Sequence, residues 1–108
     1  MLTEPALHFL LALGEEAKHG YAIMQDLAAG TGGAVRILPG TLYSTIKRML
    51  ADRLIEECAP PRLADSDDPR RRYYRVTRVG RLAAGAETAR LTMLLKLGKA
   101  FQRRGDRA

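Results

Sequence analysis

Six arginines fall within the twelve residues from Arg70 to Arg81, namely Arg70, Arg71, Arg72, Arg75, Arg78 and Arg81. A guanidinium fork matches the paired oxygens of a phosphate, so a run of this density points to a polyanion. The competing reading is a solvated strand whose arginines pair with Asp65, Asp67 and Asp68 just upstream. A second set of groups lies between Pro39 and Arg53, in PGTLYSTIKRMLADR. On a helix, at about 100° per residue, Leu42, Ile46, Met49 and Leu50 share one side. Thr41, Ser44, Lys47 and Arg48 fall mostly on the other, which carries hydroxyls and positive charge and no carboxylate before Asp52. Such a face suits a DNA groove, and equally an ordinary surface helix. The surrounding elements decide.

Other chemistry is not suggested. Gly30, Gly32 and Gly33 lack the Lys-Ser/Thr that completes a phosphate-binding loop. No His, Cys and Asp set has metal-ligand spacing. His19 has no nucleophile at a telling distance, and Ser44 and Ser66 are the only serines. The pairs Glu15–Glu16 and Glu56–Glu57 are adjacent in sequence and point apart on a helix or strand. The chain therefore reads as a non-enzyme with no cofactor and no metal.

Composition agrees with a binding function. At 108 residues the chain makes one domain with an appended element, and its 46% hydrophobic content without Trp gives a mainly aliphatic core. A net charge of +6 and a pI near 10.0 favour polyanionic partners. The single Cys58 excludes an internal disulfide and suits a reducing, cytoplasmic setting. Glu4 and Pro5 argue against a signal peptide, and the longest apolar run, Phe9 to Leu13, is too short to span a bilayer.

The elements that position the two cationic sets can be read in order. Thr3 caps a first helix with Glu4 and Pro5 in its first turn, and the helix stops near Gly14. Leu7, Phe9, Leu10, Leu11 and Leu13 spread almost around it, so it needs cover on several sides, part of it from a second subunit. His8, on its least apolar side, reads as a surface or interface residue. GEEAKHG reads as a loop, and a second helix begins near His19 or Gly20 and ends at Gly30, with Ile23, Met24, Leu27 and Ala28 facing inward. The Pro39 helix follows a Gly-rich turn, capped by Thr41 or Gly40. This is a helix-turn-helix arrangement with a turn longer than the tight minimum, which suits a winged variant. Leu54–Cys58 and Arg71–Val76 read as two strands around the polar loop PPRLADSDDP, making a β-hairpin wing. Thr77 then caps a helix running to about Arg104. Its stripe Leu82, Ala86, Ala89, Met93, Leu97 and Ala100, widened by Leu94 and Phe101, is longer than so small a unit can cover. A homodimer through this helix and the first one, with Leu7, Leu10 and Leu11 contributing, is the economical solution.

The fold expected is thus mainly α with a small β-hairpin: a winged helix-turn-helix domain at 1–76 and a long C-terminal dimerisation helix with a frayed tail at 77–108. The stretches LTEPALHFLLAL, HGYAIMQDL, PGTLYSTIKRML, LIEE and RRRYYRVTRVG, in this order and spacing, resemble the PadR family of bacterial transcriptional regulators over nearly the whole chain. The resemblance implies a winged helix-turn-helix dimer, of the short branch with a single C-terminal helix, that usually represses transcription. It also implies, in many members, release of DNA on binding a small molecule such as a phenolic acid or a drug. The family usually has Gly where this chain has Arg53. By the same resemblance Thr41, Tyr43, Ser44, Lys47 and Arg48 look like the groove-facing and backbone-contacting set. Tyr43 lies at the edge of the apolar stripe, either core with its hydroxyl reaching a phosphate or core only. Tyr21 is similarly placed, beside the backbone N–H groups of His19 and Gly20.

The partners expected are double-stranded DNA, as an inverted-repeat operator, a second copy of the chain, and a small aromatic or hydrophobic effector, with no membrane. The arginines Arg70, Arg71 and Arg72 would hold phosphate, and Phe9, Met93, Leu97 and Phe101 are the apolar candidates to line an effector pocket. Two alternatives stay open: a winged helix that docks an acidic protein, and an effector sensor without DNA binding.

Overall fold

A computed structural model describes residues 2–62 and 70–107. The elements run α1 (Glu4–Leu13), β1 (Lys18–His19), α2 (Gly20–Gly30), α3 (Pro39–Ala51), β2 (Ile55–Cys58), β3 (Tyr73–Val76) and α4 (Arg78–Arg107). The architecture is mainly helical, with a small antiparallel sheet and a long C-terminal helix. Asp65, Asp67 and Asp68 lie outside the described residues.

The first helix forms where its caps require. Thr3 Oγ1 accepts the Ala6 N–H at 3.2 Å, Pro5 sits in the first turn, and Gly14 ends the helix at φ +67°. Its nearly all-round apolar surface is covered from within the chain, by α2, β3 and α4. Phe9 and Leu13 are completely buried, and Leu7 and Leu10 nearly so. This corrects the expectation that Leu7 and Leu10 face a second subunit: they are buried, and of the three leucines Leu7, Leu10 and Leu11 it is Leu11, 62% exposed, that is open to a partner. Full burial of an aliphatic or aromatic side chain contributes about 1.5–3 kcal/mol. Ile23, Met49 and Ile55 join Phe9 and Leu13 as the largest fully buried side chains.

The segment expected as a loop after α1 contains a short strand. Lys18 pairs with Tyr74 and His19 with Tyr73, which adds β1 to the wing hairpin in the order β1-β3-β2. Lys18 Nζ ties the segment down by donating to the Ala12 carbonyl at 2.8 Å and to Asp26 at 2.6 Å. β2 and β3 pair antiparallel in the register Ile55↔Val76, Glu56↔Arg75, Glu57↔Tyr74, Cys58↔Tyr73. After α2, Thr31 Oγ1 accepts the Val35 N–H at 3.0 Å and donates to the Leu27 carbonyl at 2.9 Å, which shapes the long turn into α3.

α3 begins at Pro39 with Leu38 as N-cap and no side-chain capping bond, rather than with a cap from Thr41 or Gly40. Proline's fixed φ and missing N–H make it compatible with this first position unaided. Leu42, Ile46 and Met49 point into the core. The helix ends in a Schellman turn: the Arg53 N–H bonds the Leu50 carbonyl at 3.1 Å and the Leu54 N–H the Met49 carbonyl at 3.0 Å. Arg53 occupies the left-handed position of this turn, at φ +60°. That is the position where glycine is favoured, because a Cβ there meets the following carbonyl.

α4 is 30 residues long, about 45 Å at the α-helical rise. Its start is capped by Thr77, whose Oγ1 accepts the Gly80 N–H at 3.0 Å. Ala83 and Ala84 pack on the core. Glu87, 6% exposed, is ion-paired with Arg90 one turn on. Beyond Glu87 the helix leaves the rest of the chain, which gives the molecule its 62 Å long axis. Leu91, Met93, Leu94, Leu95, Leu97 and Phe101 are all exposed, from 43% to 73%.

Candidate nucleic-acid interface

The exposed face of α3 carries Thr41, Tyr43, Ser44, Lys47 and Arg48. Burial of Leu42, Ile46 and Met49 on the opposite side orients it. Among the described residues neither Lys47 nor Arg48 has an ion-pair partner. Ser44 Oγ donates to the Thr41 carbonyl at 3.0 Å, which leaves the oxygen lone pairs outward. Tyr43, placed by its spacing at the edge of the core, stands 72% exposed. Its ring is therefore outside the core.

Beside this face runs a groove of about 470 Å³ between α2, α3 and β3. Met24, Leu42, Ile46 and Tyr74 contribute to its lining, together with Tyr21, Tyr43, Arg70, Arg71 and Arg72. The fold thus brings Tyr21, Tyr43 and the first three arginines of the run to one place, next to the outer face of α3. Tyr21 is 56% exposed.

His19 sits where the groove meets the start of α2. As N-cap residue it accepts the Ala22 N–H on Nδ1 at 3.2 Å. One of the first-turn N–H groups is therefore engaged within the chain. The neutral ring must then carry its proton on Nε2. Arg71 approaches that nitrogen at 3.3 Å, and in this tautomer the approach brings two donors together rather than a donor and an acceptor. Tyr73 holds the ring edge-on, with centroids 5.5 Å apart and planes at 88°. The motif HGY signals this corner. The His cap itself is not legible in the sequence, since a histidine before a helix is a weak capping signal.

The arginines differ in their surroundings. Arg75 is bonded to Glu56, its cross-strand partner, at 2.6 Å, and Arg72 lies 3.5 Å from Glu57. Arg81 reaches Glu15 at 3.3 Å. Three of the six thus have carboxylates on β2 or after α1 as neighbours. The hydrogen bond that Arg75 donates to Glu56 raises its already high pKa. These pairs are exposed, so each contributes little to stability, but the two with Glu56 and Glu57 lower the net positive potential of the wing. Burial pushes the Cys58 thiol up, against the lowering by Arg75. A thiol held protonated is a poor nucleophile.

The residues expected to line an effector pocket are not brought together. Phe9 is completely buried under α1, whereas Met93, Leu97 and Phe101 lie on the exposed part of α4. Leu82, Ala86 and Ala89 are exposed on the same helix. Among the described residues no group of three His, Cys, Asp or Glu is placed to hold a metal, and no helix is long and apolar enough to cross a membrane.

Similarity to known proteins agrees with this geometry. A transcriptional regulator from Clostridium thermocellum is 24% identical, with TM-score 0.70 over 89% of this chain and 90% of that one. A PadR family transcriptional regulator from Eggerthella lenta is 24% identical, with TM-score 0.69 over 90% and 80%. RosR of H. salinarum is 27% identical, with TM-score 0.64 over 82% and 72%. An uncharacterised protein of Lysinibacillus sphaericus is 32% identical over 68 residues, which is 62% of this chain and spans 59% of that relative's length. The first two likenesses speak to the fold: a winged helix with a long C-terminal helix. The model of the transcriptional regulator PadR-like family matches residues 9–86, from the buried Phe9 to the third turn of α4. With most of the chain inside that match, this protein belongs to the PadR-like family of transcriptional regulators.

Proposed function

We propose that the protein is a dimeric repressor. Residues 1–76 read double-stranded DNA and residues 77–108 pair two copies. In each half-site α3 enters the major groove, with Thr41, Ser44, Lys47 and Arg48 toward base edges and flanking phosphates. Tyr21, Tyr43 and the arginines Arg70, Arg71 and Arg72 hold the adjacent backbone, and the operator is an inverted repeat. Leu11, Leu82, Ala86, Ala89, Met93 and Leu97 cover one another across the two-fold axis. A small aromatic or hydrophobic effector bound against Met93, Leu97 and Phe101, without Phe9, releases the DNA. The single Cys58 fits a reducing cytoplasm.

The observation that carries this reading is the outer face of α3, with two cations unpaired among the described residues and no carboxylate until Asp52, beside the groove that gathers Arg70, Arg71 and Arg72. Selection of bound sequences from random duplex DNA tests it. A recovered inverted repeat supports the reading, and recovery of no preferred sequence overturns it. Within the recovered repeat, Arg48→Ala or Lys47→Ala should relax preference at one symmetric pair of positions, by about 1–3 kcal/mol for a bidentate guanine pairing. Arg71→Ala with Arg72→Ala should weaken binding to all duplexes alike. The log–log salt slope should become shallower by about 0.9 for each phosphate left without its guanidinium.

A further inference from the structure

The block Arg70–Gly80 ends in Thr77-x-x-Gly80, a pattern that neither the wing nor the reading helix uses. Its geometry is specific. Thr77 Oγ1 accepts the Gly80 N–H at 3.0 Å and donates to the Arg53 carbonyl at 2.6 Å. The Thr77 N–H bonds the Leu54 carbonyl at 3.0 Å. Gly80 lies flush against the same residue: a Cβ there would stand 2.1 Å from the Leu54 oxygen. One hydroxyl therefore caps α4 and at the same time grips the turn that ends α3. Arg53, whose carbonyl takes that bond, is held in the left-handed conformation that directs the chain from α3 into β2.

From this joint we infer that Thr77 is a positioning residue for DNA recognition: its hydroxyl locks the end of α3 to the start of α4, so that the helix pairing two copies dictates the separation and angle of their two reading helices. The inference rests on the dimeric DNA-binding reading. Its physical content is a lever. Gly80 on Leu54 and Ala83 and Ala84 on the core already seat the start of α4, and the Thr77 bond sets its fine angle, which the length of the helix magnifies. Without the lock, half-site spacing is read loosely, although each half-site is still bound.

Two substitutions separate the cap from the lock. Thr77→Asp keeps a good N-cap acceptor for Gly80, but an ionised carboxylate cannot donate to the Arg53 carbonyl. Thr77→Ser keeps both bonds. Two readouts are needed. The first is the distance distribution between spin labels at Ala51→Cys on α3 and Lys96→Cys on α4, with Cys58→Ser and labelled chains diluted into unlabelled ones. Wild type and Thr77→Ser should give a narrow distribution and Thr77→Asp a broad one. The second is affinity for the inverted repeat selected by the wild type, with its spacer lengthened and shortened one base pair at a time. Thr77→Asp should stay dimeric in sedimentation and lose about tenfold of its preference for the original spacing, the scale of one mismatched base pair. Thr77→Ser should keep that preference. A narrow distribution in Thr77→Asp overturns the lock whatever the protein does with DNA. A broad distribution with an unchanged spacing profile overturns the role in recognition. If the wild type selects no duplex, the DNA reading fails, and the distance measurement still decides on the lock.

Discussion

The first ten residues of α4 and the twenty that follow differ in composition and in surroundings. From Arg78 to Glu87 the helix is fastened: Gly80 touches Leu54, Ala83 and Ala84 pack on the core, and Glu87 is buried against Arg90. From Thr88 onward it presents leucines, a methionine and a phenylalanine to solvent. Although Leu11 and Leu38 stay exposed, the winged unit builds its own core, with Phe9 and Leu13 completely covered. The distal helix cannot, because at about 10–12 Å across a lone helix has nothing to fold against. Stability in the one region is therefore a property of the chain. In the other, on the proposed pairing, it is a property of association. Substitutions of the same kind should have different readouts in the two places.

The largest effect is expected in the core. Phe9→Ala should lower unfolding free energy by about 3–5 kcal/mol, seen as an earlier midpoint in urea at any protein concentration. An effect below about 1 kcal/mol would show that the α1 site collapses freely, which would narrow the contrast with distal α4.

Next comes the distal helix. In protein dilute enough to be monomeric, Met93→Glu with Leu97→Glu should leave helix content and the urea midpoint nearly unchanged. Dimer dissociation should rise by about a hundredfold or more, since a carboxylate in an apolar interface costs several kcal/mol. Sedimentation at graded concentrations reads it. Dimerisation as tight as wild type would place the interface on another face of α4.

A smaller effect, of opposite sign, is expected at the turn between α3 and β2. Arg53→Gly should stabilise by about 0.5–1 kcal/mol: relief of the left-handed strain outweighs glycine's larger unfolded-state entropy. A destabilised variant would mean that the arginine side chain contributes more than its backbone costs.

The smallest effect concerns pH. Burial, helped by Glu57, raises the Tyr74 pKa above its ordinary value near 10. The folded state thus favours the neutral phenol. That contribution is fully present below the ordinary value and is lost as pH rises through the folded one. Absorbance titration should show one tyrosine ionising late, together with loss of stability at alkaline pH. Tyr74→Phe should remove the late phase.

Much of the fold is legible in the sequence, and the failures have physical causes. The bounds of α1, the end of α2 and the Thr77 cap follow from capping residues and glycines that act locally, and Pro39 marks the entry to α3 although Leu38, not Thr41 or Gly40, is its N-cap. β1 is invisible because two residues cannot show alternation, and Lys18–His19 becomes a strand only through pairing with β3. Leu7, Leu10 and Phe9 take outward roles on sequence grounds because an all-round apolar helix announces the need for cover without saying whose. Three sides of the same chain supply it. The arginine run is plain in the sequence, but its neighbours Glu56 and Glu57 depend on hairpin register, which pairing sets and spacing does not. The resemblance leads one to expect glycine where Arg53 stands, and the left-handed position of the Schellman turn supplies a physical reason.

The exposed distal stripe has a consequence for dosage. On the proposed pairing, the species that binds DNA forms from two chains, so at low abundance its amount grows with the square of chain number rather than in proportion to it. Halving synthesis would then remove about three quarters of the bound form by mass action. A stripe of uncovered leucines thus gives a small regulator a threshold in its own abundance, with no second ligand required.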